Sequence, residues 1–148
     1  MSGIRKRISY YTCIFACIFA VGMMFSSCET DDLGMENELL GSWRVVEVPT
    51  GIAPYAAGDY LYLSNDRTAT ITGADNYVEY FSDWWVNSGT LNMVLSGSNY
   101  SLNCRIYSYQ GDYLSLDVYD QERGTSYTMR LVRDNSWNYY SKRATAKP

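Results

Sequence analysis

Histidine is missing from all 148 residues. That absence removes any Ser-His-Asp or Cys-His catalytic apparatus and any imidazole metal site from the chain. Basic charge is in the minority, with 12 lysines and arginines against 16 acids, which argues against a polyanionic nucleic acid as partner. Phenylalanine is scarce and lopsided: three of the four (Phe15, Phe19, Phe25) fall within the first 25 positions. The chain therefore reads as two unlike parts. An enzyme built from it would have to work with carboxylates, tyrosines or a thiol.

The first part has the order of a secretory signal. Arg5, Lys6 and Arg7 precede an apolar run from Cys13 to Phe25, and Ser26-Ser27-Cys28 follows. Thirteen residues is short of the roughly 20 a membrane-crossing helix needs. Cys28, directly after two small residues, is where a lipoprotein signal peptidase requires a thiol to carry lipid. Phe25-Ser26-Ser27-Cys28 resembles a lipobox, with Phe25 where leucine is usual, a departure common in Bacteroidetes lipoproteins. Cys28-Glu-Thr-Asp-Asp32 resembles the acidic signal that sends such lipoproteins to the cell surface. The resemblance implies a cleaved leader over 1–27, lipid attachment at Cys28, and a place in the outer membrane, exposed on the cell surface rather than facing the periplasm. Residues 28–38 read as an acidic, solvated tether.

Removal of the leader takes three of the 12 bases and no acid, leaving 121 residues and a net charge of −7. That length suits one domain. Cys13 and Cys17 leave with the leader and Cys28 carries lipid, so Cys104 is the sole remaining thiol and an internal disulfide is excluded. The fold must stand on its apolar core.

From Gly41 onward the pattern is of short alternating runs broken by turn residues every eight to twelve positions. Strands are expected at Trp43–Val48, Tyr60–Ser64, Thr68–Thr72, Tyr77–Val86, Thr90–Leu95, Tyr100–Tyr107, Tyr113–Tyr119 and Thr125–Arg133, with tight links that suit up-and-down antiparallel pairing. Alternation places Leu91, Met93 and Leu95 inside, with Leu102, Cys104 and Ile106, then Leu114, Leu116 and Val118, then Tyr127, Met129 and Leu131. Such a sheet can close into a barrel or fold into a sandwich, and alternation alone does not separate the two.

Glu38-Leu-Leu-Gly-Ser-Trp-Arg-Val-Val-Glu-Val48 resembles the opening strand of lipocalin-like domains, whose Gly-x-Trp is matched by Gly41, Ser42 and Trp43. Tyr60–Ile71 resembles the second-strand hairpin, Asp83–Leu91 the Trp-turn-Gly-x-Leu segment of small Bacteroidetes lipocalin-like lipoproteins, and Tyr127–Arg133 their basic last strand. The likeness spans about Leu39 to Arg133. It implies an all-β, eight-stranded antiparallel up-and-down barrel over 39–134, followed by a tail over 135–148 in place of a long C-terminal helix. If the first and last strands pair, Arg133 has inward parity and lies beside Trp43. Its guanidinium should then cover the indole within about 6 Å of the ring centroid, a structural pair that closes the barrel. Arg130, of opposite parity, should face solvent.

Aromatic side chains on faces assigned to solvent or to a barrel mouth are the unusual feature: Tyr60, Tyr62, Tyr107, Tyr113, Tyr119, and one of Trp84 and Trp85. Tyrosine is a favoured strand residue whose cross-strand pairs hold sheets together. It also stacks on sugars and anchors protein contacts. The leading expectation is a lipid-anchored cell-envelope binding module, attached to the membrane through Cys28. It would capture a small apolar or glycan-like ligand or a partner protein with Tyr60, Tyr62, Trp84 and Trp85. The alternative is a non-enzymatic structural or accessory subunit of an outer-membrane complex. A carboxylate glycosidase drawing on Asp83, Asp117, Asp120 and Glu122 is a third reading, disfavoured because so short a chain leaves little room for a cleft. No cofactor and no metal is expected.

Overall fold

The computed structural model describes residues 31–136. Cys28, the 1–27 leader and most of the 135–148 tail, with Trp137, Tyr139 and Tyr140, lie outside the described residues. A short helix, α1 (Asp32–Leu39), precedes eight strands: β1 (Gly41–Glu47), β2 (Tyr60–Leu63), β3 (Ala69–Thr72), β4 (Val78–Asn87), β5 (Thr90–Leu95), β6 (Ser101–Gln110), β7 (Tyr113–Asp120) and β8 (Thr125–Arg133). Each strand pairs antiparallel with the next, and β8 pairs with β1, so the sheet closes into an up-and-down barrel with no free edge. A sandwich is thereby excluded.

The period-two pattern creates this shape by giving every strand one apolar face. On β7, Leu114, Leu116 and Val118 point inward while Tyr113 and Tyr119 point out. Inward side chains from all eight strands form one continuous buried cluster, in keeping with an eight-strand barrel whose interior side chains fill. Cys104 is fully buried in it, flanked by Leu102 and the partly buried Ile106. Burial pushes its thiol up to about 12, with Asp120 adding to the shift.

Three bulges adjust the alternation, between Val45 and Glu47, Phe81 and Asp83, and Ile106 and Ser108. The one on β4 decides between the two adjacent tryptophans. Simple alternation from the inward Phe81 would turn Trp85 inward, but the extra residue turns Trp84 inward and Trp85 out.

The expected acidic tether over 28–38 needs correction, because residues 32–39 are helical and packed on one end of the barrel. Their acids are spent on specific bonds. Glu36 accepts from both terminal guanidinium nitrogens of Arg67 (Nη1 at 3.3 Å, Nη2 at 3.0 Å) and from the Val86 amide (2.9 Å). Asp32 receives the amides of Ser88 and Gly89 (3.0 and 3.4 Å). These two residues have φ of 49° and 71°, the left-handed pair of a tight hairpin turn, whose outward amides form a ready carboxylate seat.

Candidate functional site

The two ends of the barrel are chemically unlike. At the closed end, beneath α1, Trp43 is fully buried and its Nε1 donates to the Leu39 carbonyl at 2.8 Å. Arg133 stands opposite Trp43 in the β1–β8 register, its guanidinium 4.3 Å from the indole centroid, as parity requires. The guanidinium also donates to the carbonyls of Leu40 (2.8 Å) and Glu38. Gly41, at the start of β1, has φ of +110°, a conformation that glycine adopts freely and that brings the chain under Arg133. Arg130 faces solvent and pairs with Glu47 at 2.7 Å.

The four aromatics expected to share a ligand site do not come together. Trp84 points into the barrel and donates to the Ser64 carbonyl at 2.9 Å, so it is a core residue of the closed end. Tyr60 and Tyr62 lie on the outer face of β2, where the Tyr60 hydroxyl donates to Asp134 at 3.2 Å. Trp85 lies on the outer face of β4, past the last residue of that strand that pairs with β3. The bulge and the short β3 separate them. The carboxylates Asp83, Asp117, Asp120 and Glu122 divide likewise. Asp83 is exposed at the bulge, and Asp117 lies on the outer face, taken by Arg105 (3.1 Å) and Thr128 (2.9 Å). Only Asp120 and Glu122 stand at the open end.

The open end, or mouth, carries the constellation that sequence reasoning missed. Glu79 shares inward parity with Phe81 and is 7% exposed. Its carboxylate accepts hydrogen bonds from the Tyr55 hydroxyl and, at 3.3 Å, from the Tyr77 hydroxyl. No arginine or lysine among the described residues lies within ion-pair distance of it. Asp120, 1% exposed, accepts from the Arg123 guanidinium (2.8 Å) and the Arg123 amide (3.0 Å), which also caps the β7–β8 turn. Tyr127, 6% exposed, has a buried hydroxyl with no partner, and the Thr125 hydroxyl has none either; among the described residues the Thr70 and Thr72 hydroxyls of β3 share that state. The Tyr55 ring meets that of Tyr127 edge-on at 6.5 Å and 64°. Burial, then Glu79, holds the Tyr55 phenol well above its ordinary range, and burial does the same to Tyr127.

Tyr55 comes from the β1–β2 loop, whose tip residues Thr50, Gly51 and Ile52 are exposed. The loop is tied at its base by Gly58 N donating to Val45 O and Val45 N to Asp59 O, each at 2.8 Å. A crevice at the mouth beside Glu79 has a volume of about 10 Å³, the room of one water. Glu79, Phe81, Leu95, Tyr100, Leu102 and Asp120 are among its walls. The parity of Glu79 with Phe81 was readable in the sequence; the reach of Tyr55 from a twelve-residue loop was not. No family model matches the chain, and no curated protein matches it either.

Proposed function

We propose that the chain is a small-ligand binding module of the cell envelope, anchored through lipid on Cys28 and receiving its ligand at the barrel mouth. The carrying observation is Glu79, a buried carboxylate held by phenols alone beside the unpartnered Tyr127 hydroxyl. Buried charge without a cation and buried polar groups without partners are costly, and they persist where binding or chemistry uses them. The likeness of Gly41-Ser-Trp43 and the last strand to lipocalin-like lipoproteins supports the same reading, as does the lipobox for the anchor.

A thermal-shift screen of the protein against amines, phenols, sugars and fatty acids tests the function. Ligands whose shift disappears in Glu79→Gln are expected; hits indifferent to Glu79 and Tyr127 would refute the mouth as the site. Fatty-acid labelling lost in Cys28→Ala is the expected result for the anchor. The accessory-subunit reading keeps one observation of its own. Tyr107, Tyr113 and Tyr119 stand 71%, 66% and 47% exposed on β6 and β7, and tyrosine is a frequent anchor of protein contacts.

A further inference from the structure

The Tyr55 side chain occupies the mouth in the way a ligand would. Within the loop between β1 and β2 it is the aromatic group sunk into the barrel, its ring edge-on to Tyr127 and its polar atom on Glu79. It gives Glu79 a hydrogen bond and no charge. The nearest cation in the cluster, Arg123, is already committed to Asp120 at 2.8 Å and to Glu122 at 3.7 Å. Three carboxylates (Glu79, Asp120, Glu122) therefore face one guanidinium around the mouth. Phe81, Leu95 and Leu102 supply an apolar wall beside them.

We propose that the mouth receives a small aromatic amine, its ammonium on Glu79 and its ring in the place that Tyr55 occupies. This rests on reading the mouth as the ligand site. An ammonium supplies the Glu79 carboxylate with a charge-assisted hydrogen bond, stronger than the neutral phenol it replaces. It carries three donors, whereas the phenol carries one, and the Tyr127 and Thr125 hydroxyls offer acceptors with no present partner. Size follows from the exchange, since a guest that displaces one tyrosine side chain fits the space that side chain leaves. An anion is disfavoured by the surplus of acids, and a long apolar chain by the packed interior below Phe81 and Leu102. Tyr55 then acts as a resident competitor that lowers apparent affinity by the fraction of time it is seated.

The test is calorimetric titration of the full chain with three probes sharing one phenolic ring: tyramine, uncharged 4-ethylphenol and anionic 4-hydroxyphenylacetate. Tyramine is expected to bind about tenfold or more tighter than 4-ethylphenol, the difference a charged hydrogen bond makes, with the anion weakest. Tyr55→Ala is expected to tighten tyramine by a further factor of about ten, because the competitor is gone. Glu79→Gln is expected to erase the advantage of tyramine over 4-ethylphenol while leaving 4-ethylphenol bound. If Tyr55→Ala does not fold, Tyr55→Phe keeps the ring, frees Glu79 and should tighten tyramine in the same direction. Equal binding of tyramine and 4-ethylphenol would overturn the amine inference and leave the mouth standing as a ligand site. Silence of all three probes in a folded Tyr55→Ala protein would also overturn it. Tyramine binding untouched by Glu79→Gln would overturn both readings of the mouth.

Discussion

The closed end and the mouth are both built from aromatic rings, arginine and acid, yet they use them differently. At the closed end the buried indoles, the guanidinium and the Glu36 carboxylate all have partners, while the buried Thr70 hydroxyl on β3 has none. Trp43 and Trp84 each donate to a carbonyl, Arg133 spans a ring and two carbonyls, and Glu36 takes three donors. At the mouth, two buried hydroxyls have no partner and the buried Glu79 carboxylate forms no ion pair, Arg123 being bound to Asp120. The mouth differs in that a buried carboxylate without an ion-pair partner stands beside its unpartnered hydroxyls, a combination that apolar residues would replace in a barrel optimised for stability alone.

If that contrast is real, the largest loss should come from the closed end. Trp43→Ala removes a fully buried indole, and the expected cost is about 3–5 kcal/mol by urea unfolding. A loss near 1 kcal/mol would show that the closed end is not the anchor of the fold. Arg133→Met keeps the aliphatic stem and removes the guanidinium, taking with it the ring contact and two carbonyl bonds. The expected cost is about 2 kcal/mol, since the group is only partly desolvated.

The closed end was also the more legible of the two. Strict alternation over β5, β7 and β8 defines an inside and an outside, and antiparallel closure then brings the start of β1 beside the end of β8. Trp43 and Arg133 follow from parity and register alone. The rest depended on local departures from period two. One added residue at the Phe81–Asp83 bulge exchanged the roles of Trp84 and Trp85. α1 buries only Leu39 and so offers no apolar stripe to read. Its stability comes from carboxylates reaching Arg67 and the Ser88-Gly89 amides, contacts between residues some 30 to 57 positions apart. The mouth depends on a loop with no periodicity whose single tyrosine turns inward.

The mouth should answer substitution with the opposite sign. Tyr127→Phe deletes a buried hydroxyl that has no partner, and removal of such a group is expected to stabilise the fold by up to about 1 kcal/mol. A clear destabilisation would mean that this hydroxyl has a partner in solution, and the contrast between the ends would weaken. Tyr55 and Tyr77 donate to different oxygens of Glu79, so Glu79→Gln keeps an acceptor for one of them and turns an amide NH2 to the other hydroxyl oxygen; unfolding should shift by no more than about 1 kcal/mol. Its binding phenotype should be much the larger effect, which separates a functional carboxylate from a structural one.

The smallest effect is expected three residues before Arg133 on the same strand. Arg130 has the outward parity, and it pairs with Glu47 at 2.7 Å while both side chains remain more than half exposed. Water screens such a pair and ordering two long side chains opposes it, so Arg130→Met should cost no more than about 0.5 kcal/mol, vanishing in high salt. The comparison with Arg133→Met is informative because charge, residue type and strand are shared and only the face differs. A cost for Arg130→Met equal to that for Arg133→Met would mean that the two arginines are not on opposite faces. Because a one-residue slip moves every side chain of a strand to the other face, it would also displace Tyr127 from the mouth. A small, salt-sensitive loss at Arg130 beside a larger, salt-resistant one at Arg133 fixes the register of β8, and with it the inward direction of Tyr127, Met129 and Leu131.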